Sequence, residues 1–187
     1  MARPRSDDKQ SAIIAGATRV IASQGLGAAT AAIAKEAGVS NGSLFTYFAT
    51  KADLLNQLYI ELKTEMASVL DGIPAESGLR EQALYMWSQW MNWATSHPEK
   101  RRTLALLSVS DDIRTESRQA AGQAMSGFRE FMRRVTQNGP LSEEPLGLRA
   151  ALINGIAEST IDYIMQDPAN ADKHSRAGFE AFWRVVV

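Results

Sequence analysis

Five consecutive residues, Gly38-Val39-Ser40-Asn41-Gly42, spell GxSxG, the spacing that in an α/β-hydrolase lifts a serine hydroxyl onto a sharp strand-to-helix turn. That chemistry needs a strand before the serine and an acid and a histidine after it. Here the preceding residues repeat with a helical period, and His97 and His174 are the only imidazoles in the chain. Acyl transfer at Ser40 therefore lacks its parts. Cysteine is absent, which removes thiolate catalysis, disulfide scaffolding and cysteine-ligated metal sites together. HExxH, a phosphate-binding glycine loop and clustered histidines are also missing from the sequence. Asn41-Gly42-Ser43 matches a glycosylation sequon, but without a secretory route it carries no meaning. The residues read as a non-enzyme with no metal and no cofactor.

What remains is a chain whose polar groups would bind rather than react, and the elements that must hold them are helical. Ile13, Ile14, Ala17, Val20 and Ile21 recur at helical spacing and mark one buried stripe, in a helix from Ser11 to about Gln24. Gly25 and Gly27 stop it. A short helix follows over 31–37, with Thr30 at its cap or first turn and Ile33, Ala34 and Ala37 as its packing face. Gly38 ends that helix, and Ser40 can cap the next, Asn41 to Phe48, where Leu44 and Phe48 share a face. Longer helices are expected near 51–71, 77–96, 99–108, 111–137, 142–166 and 172–187, separated by Asp71-Gly72, His97-Pro98, Asn138-Gly139-Pro140 and Asp167-Pro168. The expected class is all-α, with about nine helices.

Two short helices joined by a glycine turn are stable only if neighbours clamp them at a fixed angle. Residues 30–48 therefore read as a helix-turn-helix, with Val39 plugging between the two helices. The second of them shows small or hydrogen-bonding groups, Asn41, Gly42, Ser43, Thr46 and Tyr47, beside the apolar seam. Such a face can enter a major groove. Charge agrees. The net charge is -1, yet residues 1–51 hold six basic groups (Arg3, Arg5, Lys9, Arg19, Lys35, Lys51) against three acidic ones (Asp7, Asp8, Glu36), a local +3. Affinity for phosphate follows local charge. No apolar run approaches the roughly 18 residues of a membrane span, and MARPRSDDKQ has no apolar signal core, so the expected address is cytoplasmic.

The segment TAAIAKEAGVSNGSLFTYFATK, with its spacing IAxxAGVSxGxLFxYFxxKxxL, resembles the amino-terminal signature of the TetR family of transcriptional regulators over roughly residues 9–60. MARPRS, FATK and the closing DP and GFEAFWR segments are further similar to RamR-like multidrug-responsive members. The resemblance implies a three-helix head with a DNA-binding helix-turn-helix at 1–50 and a ligand-binding and dimerisation bundle at 51–187. It places Thr30, Tyr47 and Lys51 on phosphates, and Ser40, Asn41, Gly42, Ser43, Phe45 and Thr46 at or near the groove. Asn41 is then the direct base reader, because an amide both donates and accepts at an adenine edge. The implied partners are double-stranded operator DNA of palindromic sequence, a small-molecule effector and a second copy of the chain.

The remainder is rich in large adaptable side chains, the lining that drug-sized ligands prefer. Tyr59, Trp87, Trp90, Phe128 and Tyr163 are candidate lining residues. Trp93 rotates off the face that Trp87 and Trp90 share. Glu158 and Asp162, one helical turn apart, are candidate partners for a cationic ligand. Core packing is the alternative for each aromatic side chain, and solvent for the two carboxylates. Phe179, Phe182, Trp183 and Val185 to Val187 form an apolar end that a monomer would struggle to cover, an argument for dimerisation through the last two long helices. A helical interaction module without DNA affinity is the rival to the regulator.

Overall fold

The computed structural model describes residues 4–69, 72–73 and 76–187; Arg3 and Asp71 lie outside the described residues. Among the described residues ten α-helices run in order: α1 (Pro4–Gln24), α2 (Thr30–Glu36), α3 (Asn41–Tyr47), α4 (Lys51–Val69), α5 (Leu79–Ser96), α6 (Pro98–Ser108), α7 (Thr115–Ala124), α8 (Ser126–Val135), α9 (Leu146–Gln166) and α10 (Ala171–Val186). A 3-10 turn, Pro168–Asn170, precedes α10, and no strand occurs among the described residues. The all-α class stands. The additional helix arises because the stretch expected as one helix over 111–137 is two. Met125 leaves the helical backbone at φ -85°, ψ 12°, and Gly122, Ser126 and Gly127 around it are poor helix formers. Likewise α9 starts at Leu146 rather than 142, since Pro145 disfavours helical backbone in the residue before it. Among the described residues no helix is long and apolar enough to cross a membrane.

The chain forms two compact units that interleave in sequence. One holds the residues up to Glu65 together with His97–Ala124; the other holds Met66–Ser96 and Met125–Val187. In the first, the expected stripe of α1 is real: Ile13, Ala17, Val20 and Ile21 are buried, with Ile14 half-buried at its edge. Helix α1 packs on α2 and on α6. The buried Thr103 Oγ1 of α6 donates to the Thr18 carbonyl of α1 at 2.9 Å, so a polar atom inside that contact is satisfied rather than stranded. Lys100 of α6 holds both carboxylate oxygens of Glu65 on α4 at 2.7 Å.

The second unit is organised around Trp87. Its side chain is fully buried, stacks on Phe182 with ring centroids 5.4 Å apart, meets Phe179 edge-on at 6.3 Å, and donates from Nε1 to the Ser175 carbonyl at 3.0 Å. A buried indole thus finds the partner its N–H requires. A Cβ on Gly178 would collide with Thr160 and Trp87, so glycine there is what lets α10 approach α9 and α5. Trp93, rotated off the face that Trp87 and Trp90 share, is buried with them, so α5 is enclosed over a broad face. One sequence expectation is corrected here. Of the apolar end of α10, Phe179, Phe182 and Val186 are buried within the unit, Trp183 and Val185 are half-buried and Val187 is exposed; a further group of exposed large apolar side chains lies on α9, at Leu146, Leu148, Leu152, Tyr163 and Met165.

Replacing Trp87 with alanine is expected to cost about 3–5 kcal/mol in urea unfolding. The exposed Leu84 on the same helix, cut to alanine, should cost less than about 0.5 kcal/mol. Equal small losses would mean that Trp87 is not the centre of this core.

Candidate nucleic-acid interface

Helix α2 ends in a hydrogen-bonded glycine cap. Val39 N–H donates to the Ala34 carbonyl at 3.0 Å and Gly38 N–H to the Lys35 carbonyl at 3.1 Å, the two bonds of a Schellman motif. Gly38 sits at φ 69°, the left-handed region that a side chain disfavours. The turn that follows is short and leads directly into α3. A second glycine acts from outside the motif: a Cβ on Gly16 of α1 would lie 3.0–3.2 Å from the backbone and Cβ of Ala37. Its absence lets α1 press against the end of α2, and Arg19 of α1 reaches Glu36 of α2 at 2.6 Å.

Helix α3 is capped as its sequence promised. Ser40 Oγ accepts from Ser43 N–H at 3.0 Å, so the hydroxyl of the apparent elbow serine is occupied in starting a helix. Leu44 and Phe48 are buried. On the other side Asn41, Gly42, Phe45 and Thr46 are exposed and contiguous, while Ser43 and Tyr47 are half-buried beside them. Asn41 and Phe45 form one outward pair at i, i+4, and Gly42 and Thr46 the next. Thr46 Oγ1 donates back to the Gly42 carbonyl at 3.2 Å, which leaves its methyl and lone pairs to face outward. Among the described residues the Tyr47 hydroxyl has no hydrogen-bond partner. Thr30 is the first residue of α2, half-buried; the N-cap is Ala29, which supplies no side-chain acceptor.

The start of α4 is fixed by a polar network that the sequence reading did not assemble. Thr50 Oγ1 accepts from Asp53 N–H at 3.0 Å and donates to the Asp53 carboxylate at 2.8 Å. The Asp53 carboxylate also takes Arg114 at 2.6 Å. One turn on, the buried Asn56 donates to the carbonyls of Ala52 and Asp112, each at 2.8 Å, and accepts from Arg114 N–H at 2.9 Å. The segment between α6 and α7 is thereby stitched to α4. Lys51 joins in: its Nζ donates to the Leu26 carbonyl at 2.6 Å, using one of three N–H donors. Thr50-x-x-Asp53 is a legible capping signal; the Asn56 contacts with Asp112 and Arg114, spanning more than fifty residues, had no local signal.

The candidate effector residues divide between the units. Tyr59 belongs to the first, buried, with the Arg118 guanidinium 6.0 Å from its ring centroid. The other six belong to the second. Trp87 and Trp90 touch edge-on at 6.5 Å inside the core, Phe128 and Glu158 are half-buried, and Asp162 is exposed. Tyr163 is 55% exposed and packs edge-on against His174 at 4.7 Å, which itself lies 2.9 Å from Asp167.

Comparison with known proteins decides the family. A family model described as bacterial regulatory proteins, tetR family, matches residues 13–58. A TetR family transcription regulator from Shewanella sp. PV-4 is 30% identical over 94% of this chain and 96% of its own, with a TM-score of 0.81. The chain belongs to the TetR family. It is a transcription regulator, with α2 and α3 as its helix-turn-helix, and not an enzyme. A TetR family regulator from Marinobacter aquaeolei VT8 shares the fold at 21% identity, with 98% of each chain covered and a TM-score of 0.81. So does FadR from Bacillus subtilis, solved in complex with stearoyl-CoA, at 20% identity, 95% and 99% coverage and a TM-score of 0.68.

The Arg114 guanidinium, and after it the Thr50 hydroxyl, hold the Asp53 carboxyl below its ordinary range. Folding therefore favours the ionised form, so the contribution of Asp53 is complete above its unfolded value and is lost as pH falls through the lowered folded value. Urea midpoints of the wild type and Asp53→Asn should differ at pH 7 and begin to converge as pH falls below about 4. A difference that persists unchanged to about pH 2.5 would rule out the ion pair as its source.

Proposed function

We propose that the protein is a ligand-responsive repressor that binds a palindromic operator as a homodimer and releases it when a small apolar or cationic effector binds. The outward face of α3 carries this reading. Its exposed residues are uncharged, Asn41, Gly42 and Thr46 short and Phe45 a single large apolar ring, its inward Leu44 and Phe48 are buried, and Gly42 has open space where a Cβ would stand. Glycine inside a helix is unfavourable, and no packing within the chain explains it at 42. A DNA backbone or base edge approaching closely would.

In this reading residues 1–50 form the DNA-binding head and 51–187 the ligand-binding and dimerisation region. Thr30, Tyr47 and Lys51 contact phosphates, Lys51 with the donors that Leu26 leaves over, and Ser40, Asn41, Gly42, Ser43, Phe45 and Thr46 line the groove side. The exposed stripe of Leu148, Ala151, Leu152 and Gly155 on α9 is apolar surface for a second copy. Effector binding beside Trp87, Trp90, Phe128, Glu158, Asp162 and Tyr163 in the second unit, or beside Tyr59 in the first, changes the spacing of the two recognition helices, a coupling of about 1–3 kcal/mol. A multidrug-responsive repressor of efflux genes is the finer form of the proposal.

A specific observation favours a second effector class. Lys63 of α4 is half-buried and burial holds its ammonium below its ordinary value, a setting in which an anionic head group would be welcome. FadR from Bacillus subtilis was solved with stearoyl-CoA, an anion with a long apolar chain. Thermal unfolding with stearoyl-CoA and with a planar cationic dye separates the classes. A shift by the dye alone supports the cationic reading; a shift by the thioester that Lys63→Met abolishes transfers the effector to the anionic class.

The operator reading is tested by fluorescence anisotropy against duplex from upstream of the protein's own gene and from a genome fragment library, over a salt series. Tight binding to a preferred duplex should weaken with rising salt, as phosphate contacts require, and should fall at least about tenfold in Tyr47→Ala. Gly42→Ala should raise the unfolding temperature and yet weaken binding. Uniform weak binding across the whole library would instead mean an interaction module without DNA affinity.

A further inference from the structure

Resting on the groove-helix reading above, we infer that α3 is specific for A·T pairs, with Asn41 reading an adenine edge and Phe45, helped by Thr46, packing on thymine methyl groups, and with no guanine-directed contact from this helix. The side chain that most commonly reads guanine is arginine or lysine, bidentate to O6 and N7. Helix α3, NGSLFTY, contains neither. The nearby charges are engaged or elsewhere: Glu36 is held by Arg19, Lys51 is tied to the Leu26 carbonyl, and Lys35 stands on α2, the helix that crosses the backbone rather than entering the groove.

Phe45 is the telling residue. It is 41% exposed while Leu44 and Phe48 on either side are buried, so its ring is the one large apolar group on the outward face of α3. It is seated between Asn41 one turn before it and Thr46 beside it, and all three are exposed. A phenyl ring makes no hydrogen bond to a base edge; the partner it fits in a major groove is the C5-methyl of thymine, the only apolar group there. The Thr46 hydroxyl proton is already given to the Gly42 carbonyl, which leaves that side chain's methyl for the same partner. Asn41 can accept from and donate to adenine N6 and N7. One helical turn, about 5.4 Å, separates it from Phe45, against a base-pair rise of about 3.4 Å, so the pair addresses neighbouring steps of one half-site. Gly42 lies between them with nothing within 4 Å of its missing Cβ, which allows the short Asn41 and Thr46 side chains to reach the bases.

Selection from random sequence supplies the operator for the test. The full-length protein is used to select from duplexes randomised over about two helical turns, and the winning duplex is remade with uracil for thymine in each half-site, a change that removes the methyl alone. Enriched half-sites should carry A·T pairs at the central read positions. Uracil should weaken the wild type about three- to tenfold per contacted thymine. Phe45→Ala should bind more weakly and lose the discrimination between thymine and uracil, while keeping the wild-type salt slope. Half-sites dominated by guanine contacts, or a wild type indifferent to uracil, would overturn the inference with the groove-helix reading intact. A pool that yields no enriched duplex would overturn both together. The uracil comparison uses unmodified protein, so it stands whatever the fold of the variant.

Discussion

A seven-residue helix has no stability of its own in water, because the cost of ordering its first turn is repaid by too few hydrogen bonds. The protein places two such helices, α2 and α3, side by side, and everything proposed for DNA depends on their being held. The hold comes from contact rather than propensity. Ile33, Ala34, Leu44 and Phe48 are buried, the Schellman bonds at Gly38 set the turn, and the missing side chain of Gly16 admits α1 to the end of α2. Each device is local and small. Together they turn two unstable segments into one rigid reading head.

The same unit shows how polar groups are used for position rather than chemistry. Ser40, Thr50, Asp53 and Asn56 are all spent on backbone groups or on Arg114. Asn56 is the most constrained of them, buried, with its side-chain carbonyl accepting one hydrogen bond and its amide nitrogen donating two. A buried amide that is fully paired specifies one arrangement, since any slip would strand it. It fixes the chain between α6 and α7 on the start of α4, the helix that follows directly from α3. The exposed ion pairs Arg19–Glu36 and Asp53–Arg114 contribute orientation more than stability, as exposed pairs generally do.

In the second unit the aromatic side chains that would suit a ligand also make the core. Trp87 touches Trp90, Phe179 and Phe182, and the glycine at 178 brings α10 within contact of it. A ligand that approached Trp87 would have to displace packing of interior density. That ties any effector response to a rearrangement of the core, and gives such a response its structural cost.

The all-helical class, the helix-turn-helix, the Ser40 cap and the inward pair Leu44 and Phe48 were legible in the sequence, because each rests on spacing within one or two turns and on the conformational limits of single residues such as Gly38. Break signals also located the helix ends to within about four residues, apart from the start of α1, which lies at Pro4 rather than Ser11, and Met125, where glycines and a serine weaken a helix without an obvious stop. Contacts between residues far apart in the chain were not legible. That Tyr59 and the other effector candidates divide between two interleaved units, that Phe179, Phe182 and Val186 of α10 are core while α9 keeps an exposed stripe, and that Asn56 meets Asp112 and Arg114 are outcomes of packing. Local periodicity says which face of a helix is apolar; only the tertiary fold decides which neighbour covers it, because burial is a property of the whole chain and not of any one segment.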